Sequence, residues 1–236
     1  MRIPQERGTK GSLKWIQTLI NQFPSILGKE IRTELNLKEK NIEWLSPLIS
    51  DELAEYRDDD FLVVLGLSDH TDKLHDFWPK RGPQWDALGK ILPSGPYFLV
   101  EAKANIPEVM SESQAKSEKS IRQIRESIHK TQVFLNCESS IDWMTGFYQY
   151  ANRVAHLYFL RELCGIDAYL VFVYFLNDFT HIPTSKDEWR GAIQMQKQIM
   201  GLTRHRLQNH IREVFIDVKR IEAEQITPVD DLSSSL

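Results

Sequence analysis

Three side chains near the middle of this 236-residue chain have types and spacing that could do chemistry: Asp86, Glu101 and Lys103. They lie on two segments, 84–92 and 97–104, separated by Pro93-Ser94-Gly95-Pro96, a turn by composition. Side chains alternate faces along a strand, so a hairpin with 93–96 as its loop sorts by parity. Leu92 then opposes Tyr97. One face shows Trp85, Ala87, Gly89 and Ile91 beside Phe98, Val100 and Ala102, all apolar or glycine. The other shows Asp86, Leu88 and Lys90 beside Leu99, Glu101 and Lys103. In this register Asp86 stands opposite Lys103 and diagonal to Glu101, within cross-strand reach. Two carboxylates beside an ammonium suit a hard divalent cation, Mg²⁺ or Mn²⁺, which takes oxygen ligands and keeps several waters. Such an ion activates water and neutralises charge developing on a phosphoryl oxygen. Lys103 would orient or deprotonate the attacking water, or stabilise the transition state. A plain surface ion pair has the same spacing, and hairpin geometry alone does not choose between the two.

The elements that must position these residues read as follows. A helix is expected over 12–22, with Trp15, Ile16, Leu19, Ile20 and Phe23 on one stripe and Pro24 as its stop. A second helix is expected over 29–37, then an element after Ser46-Pro47 running through Leu53 and Tyr56. The run 61–66 reads as a strand or a short helix; Asp58, Asp59 and Asp60 before it suit a helix N-terminus. Helices are expected over 114–135 and 140–163, and a buried strand over 168–176. Ser185-Lys-Asp-Glu188 has the form of a capping box opening a helix that ends at Gly201. A final strand is expected over 213–218. The whole reads as one α/β domain over 1–225, its first 45 residues a helical extension, with 226–236 a disordered tail.

Further residues qualify as site candidates. On the 140–163 helix, Gln149, Asn152, Arg153 and His156 recur at helical spacing on one stripe without Lys or Glu. That stripe would line a cleft, with Arg153 forking onto a phosphate, or form a polar seam inside the fold. No HExxH, Walker loop or GxGxxG occurs, and two unpaired cysteines, Cys137 and Cys164, offer neither a zinc site nor a disulfide framework.

Asp86 opening one strand, with Val100-Glu101-Ala102-Lys103 on the next, resembles the active-site motif of the PD-(D/E)xK nuclease superfamily. The wider text Trp78-Pro-Lys-Arg-Gly-Pro-Gln-Trp-Asp86, Phe98-Leu-Val-Glu-Ala-Lys-Ala-Asn105 and Phe147-Tyr-Gln-Tyr-Ala-Asn-Arg-Val-Ala-His156 is similar to uncharacterised bacterial members. The resemblance spans residues 46–218, though Trp85 stands where the superfamily's name has proline. It implies a restriction-endonuclease-like αβββαβ core with a mixed central sheet flanked by helices. It also implies Asp86, Glu101 and the Ala102 backbone carbonyl as ligands of Mg²⁺ (or Mn²⁺), and Lys103 as the catalytic lysine. Many members add a carboxylate from an upstream element, for which Glu52 and Glu55 are the candidates here, Glu55 foremost, with Glu108 just after the lysine strand another, although each suits a solvated acidic face. The activity implied is phosphodiester hydrolysis in nucleic acid, DNA first. A non-catalytic nucleic-acid-binding or interaction protein on the same fold is the alternative.

Charge refines that expectation. The formal total of −4 excludes a bulk-charge DNA coat, yet residues 114–130 carry five Lys/Arg against two acids. Residues 197–220 carry six against two, and residues 51–76 carry nine acids against two bases. The longest apolar run, 168–176, is too short to span a bilayer, and no apolar signal segment opens the chain. A cytoplasmic protein with no membrane partner is expected, with a homodimer left open.

Overall fold

A computed structural model describes residues 1–37, 41–93 and 95–226. In chain order its strands and α-helices are β1 (Arg2–Ile3), α1 (Gly11–Gln22), α2 (Pro24–Leu35), β2 (Ile42–Ser46), β3 (Glu55–Tyr56), α3 (Asp59–Leu65), α4 (Thr71–Phe77), β4 (Ala87–Ile91), β5 (Tyr97–Lys103), α5 (Glu118–Leu135), α6 (Tyr148–Tyr158), β6 (Ala168–Leu176), α7 (Lys186–Ile199), β7 (Ile211–Asp217) and α8 (Val218–Ile226). The main sheet has the order β2-β4-β5-β6-β7. β4 runs antiparallel to both of its neighbours, β2 and β5, and β5, β6 and β7 run parallel. β6 has strands on both edges and helices on both faces, which is why its sequence is apolar throughout instead of alternating. A parallel β5–β6 pair needs a crossover, and α5 and α6 lie within it.

The parity of the hairpin divides it between two apolar layers. Ala87, Phe98 and Val100 join Val171 and Val173 in packing against Trp15 and Leu19 of α1 and Leu27 and Ile31 of α2. Leu88, Leu99, Phe172 and Tyr174 pack on the other side with Ile128 of α5, Ala151 and Val154 of α6, and Trp189 of α7. The protein is therefore α/β, a mixed five-stranded sheet flanked by helices.

Several expectations are corrected. The helical extension expected over residues 1–45 contains α1 and α2, which build one face of the sheet, and β2, which is its edge strand. α1 ends at Gln22, just before Pro24 as expected, and Pro24 also opens α2 in its first turn, where its missing N–H has no intrahelical partner to lose. The run at 61–66 is helical, with Asp59 and Asp60 in its first turn and Gly66 left-handed at its end. The helix expected from residue 140 begins at Tyr148, and the one expected from 114 begins at Glu118 behind a Ser117 cap. The capping box at Ser185 and Glu188 is present. The tail at 226–236 lies, apart from Ile226, outside the described residues. Among the described residues no helix is long and apolar enough to cross a membrane.

Gly89 shows how tightly the edge strand is docked. It opposes Trp44, and a Cβ there would stand 2.9 Å from the indole Cε3 and 3.1 Å from the Glu43 carbonyl oxygen. Gly89→Val should lower unfolding free energy by about 1–3 kcal/mol, the usual cost of overpacking. Urea denaturation measures it, and an unchanged midpoint would mean that β2 does not pack on β4.

Candidate functional site

The hairpin register differs from the expected one by two residues. Ala87 faces Val100 and Lys90 faces Tyr97, while the Ile91 N–H donates to the Pro96 carbonyl. Pro96 has no N–H to return, and the Ile91 carbonyl takes the Gly95 N–H instead. A shift of two preserves every side chain's face. It moves the position opposite Glu101, not Lys103, to Asp86.

Asp86 itself lies just outside the ladder, for a visible reason. Trp85 leaves β5 to bridge Tyr56 of β3, its N–H donating to the Tyr56 carbonyl at 3.0 Å. The strands splay there, and the next β5 N–H, that of Ala102, would lack a backbone acceptor. Asp86 Oδ2 accepts it at 2.6 Å. N–H and C=O of one strand residue point the same way, so the Ala102 carbonyl also faces the Asp86 side. The bridge to β3 does a second thing: it brings Glu55, the neighbour of Tyr56, beside the same cluster.

Glu101 is the centre of that cluster. It is 2% exposed, with Lys103 Nζ 2.5 Å from Oε1 and Arg153 Nε donating to Oε2 at 2.6 Å. Arg153 Nη2 lies 2.6 Å from the same oxygen and donates to the Gln84 carbonyl at 2.7 Å. Gln84 in turn donates its side-chain amide to Glu55 Oε2 at 2.5 Å. Lys103 also donates to Gln149 Oε1 at 2.9 Å. The trio Asp86, Glu101 and Lys103 therefore converges, with Glu55 adjoining.

The protonation directions follow from this packing. Burial works to raise Glu101, but Arg153 and Lys103 outweigh it and hold the carboxyl below its usual range. Burial works to lower Lys103, but Glu101 and Asp86 outweigh it and keep the ammonium charged. Asp86 is pushed well above the usual carboxylate range by desolvation and then by Glu101 and Glu55. Glu55 is raised by burial first, with Glu101 adding to it.

The stripe on α6 does share a face, but that face turns inward. Asn152, Arg153 and His156 are all buried, and His156 lines a pocket with Asp58, His75, Trp78 and Gly82, apart from the trio. Arg153 is spent on Glu101 and Gln84 and is not free to fork onto a phosphate. Asn152 Oδ1 accepts from Arg153 Nη1 at 2.9 Å. His156 packs among Phe61, Phe77, Trp78 and Trp85, its Nδ1 bonded to the Asn152 carbonyl. Gln149 reaches the trio through Lys103, and Arg153 through Glu101. Glu52 pairs with Arg2 at the surface, and Glu108 accepts from the Ala104 N–H and the Asn105 amide. Neither joins the cluster. Gln84 is the participant that sequence reasoning missed, and its one signal was its place two residues before Asp86.

The two basic stretches fare differently. Lys116, Lys119, Arg122, Arg125 and Lys130 are exposed on and just before α5. In the other stretch Lys197 pairs with Glu213, Arg220 with Glu30, and Arg212 donates to the Glu34 carbonyl. That second segment is largely used within the fold.

Among the described residues no group of three His, Cys, Asp or Glu side chains forms a ready metal-ligand set. The donor inventory nonetheless suits one hard cation completed by water. Asp86 Oδ1 carries no hydrogen bond among the described residues, Glu101 Oε1 has a lone pair beyond its bond to Lys103, and the Ala102 carbonyl lies on the same side. In comparisons with family models, curated proteins and solved structures, the chain matches none.

Burial pulls His156 down to about 3 from 6.5, so it is neutral inside the fold. The unfolded chain protonates it more readily, so its contribution to stability is complete above about pH 6.5 and lost as pH falls toward 3. Between about pH 4 and 6, wild-type unfolding free energy should fall more steeply than that of His156→Gln, by about 1.4 kcal/mol per pH unit. Equal slopes in urea titrations would show that the folded imidazole takes up the proton.

Proposed function

We propose that the protein is a metal-dependent nuclease of the PD-(D/E)xK type, hydrolysing phosphodiester bonds in nucleic acid, DNA first. The observation that carries this reading is the convergence of Asp86, Glu101 and Lys103 where β4 and β5 part, with Asp86 bonded to the backbone between the other two. The order α2, β2, β4, β5, α6, β6 supports a restriction-endonuclease-like core. It gives helix, three antiparallel strands, helix and parallel strand, with β3, α3, α4 and α5 as additions.

A divalent cation, Mg²⁺ or Mn²⁺, held by Asp86, Glu101 and the Ala102 carbonyl would supply a Lewis acid for the phosphoryl oxygen and a water of lowered pKa. Lys103 is an ammonium with three N–H donors, two of which engage Glu101 and Gln149. The third is left for a water or a phosphate oxygen. A charged Lys103 orients and stabilises; it has no lone pair with which to take a proton. Arg153 keeps Glu101 ionised and fixed. The exposed cations of α5 offer salt-dependent phosphate contacts.

One observation favours the alternative, a non-catalytic nucleic-acid-binding or interaction protein. Both oxygens of Glu101 already have cationic partners, so the network is satisfied on that side without an added ion. Purified protein should cut plasmid, single-stranded DNA or RNA with Mg²⁺ or Mn²⁺. Asp86→Asn and Lys103→Ala should each lose about 100-fold or more in rate, the scale of losing one preorganised charged group. Glu52→Gln should cut normally. Absence of cleavage on every substrate form, or full activity in Lys103→Ala, overturns the proposal.

A further inference from the structure

Resting on the nuclease reading above, we propose that the site takes a single divalent cation per chain, because Arg153 permanently fills the place on Glu101 that a second ion would need. A carboxylate offers two oxygens and about four lone-pair directions. Oε1 of Glu101 gives one direction to Lys103 and keeps another. Oε2 is flanked by Nε and Nη2 of Arg153, both at 2.6 Å. Two-metal sites hold their ions about 3.5–4 Å apart by sharing such carboxylates, and here one of the two oxygens is closed.

Arg153 cannot readily leave. Its Nη2 is also bonded to the Gln84 carbonyl at 2.7 Å and its Nη1 to Asn152 at 2.9 Å. The guanidinium lies over the Trp85 ring at 4.9 Å, and its side chain is 5% exposed. Its charge acts on Glu55 as well as on Glu101. Gln84, which anchors Arg153, holds Glu55 at the same time. Arg153 is in this sense a positioning residue, a fixed monocation standing in for a metal.

Calorimetric titration of the purified chain with Mn²⁺ alone tests this. The expected stoichiometry is one ion per wild-type chain, lost in Asp86→Asn, and rising to two in Arg153→Met. Electron paramagnetic resonance of that variant should show the multiline signal of a coupled Mn²⁺ pair, absent from wild type. Should Arg153→Met fail to fold, anomalous scattering from Mn²⁺-soaked wild-type crystals decides. One peak beside Asp86 with Arg153 still on Oε2 supports the proposal. Two ions in wild type, a displaced Arg153, or one ion in both wild type and a folded Arg153→Met overturns it while leaving the nuclease reading intact. No binding that depends on Asp86 overturns both.

Discussion

A carboxylate inside a protein stays ionised only if fixed cations and donors replace the water it has lost. Glu101 meets that condition with Lys103 from its own strand and Arg153 from α6, one cation at each oxygen. Much of the architecture follows from this requirement. Helix α6 must pack on the sheet at the height of Glu101, and it does so over β6 through Ala151, Val154 and Ala155, small or branched residues that let it approach closely enough for Arg153 to reach Glu101. Arg153 must in turn be held, which Gln84, Asn152 and the face of Trp85 accomplish. Removing one member of such a set leaves a buried charge unpaired, at a cost of about 3–5 kcal/mol.

The second constraint is the parting of β4 from β5 at residue 86. Had β4 continued in register, Trp85 would have satisfied Ala102 with backbone atoms and left no role for a side chain. Because Trp85 pairs with Tyr56 instead, Asp86 completes the ladder with a carboxylate oxygen and keeps its other oxygen free. The same pairing draws Glu55 inward, although β3 contains only two residues. A short bridge outside the main sheet thus places two of the three acids in the cluster, Glu55 and Asp86.

What could be read in the sequence was local and periodic. The hairpin's parity, the nine-residue buried strand and the capping box all express neighbours a few residues apart, and all three appear as written. The register was misplaced because Pro96 terminates the pairing differently from an ordinary residue, a backbone effect that side-chain pattern does not carry. β2 was missed because Ile42 and Trp44 give only two alternations before Pro47, and the indole's partner is a glycine 45 residues away. The stripe on α6 was correctly grouped but could not be aimed. Whether a helical face of Gln, Asn, Arg and His turns to solvent or to the sheet depends on what lies opposite, and here that is Glu101, 52 residues from Arg153.

The ionic balance of the cluster bears on what kind of network it is. A network kept only for structure tends to end with charges matched and lone pairs filled, since each leftover costs desolvation without return. Here three carboxylates, Glu55, Asp86 and Glu101, face two fixed cations, Lys103 and Arg153. The surplus falls on Asp86, whose second oxygen has no donor among the described residues and whose carboxyl is pushed up by burial first and then by Glu101 and Glu55. A proton on the second Asp86 oxygen can relieve that surplus, and so can a cation shared between that oxygen and the Ala102 carbonyl beside it. A matched interior salt bridge leaves no such surplus to relieve.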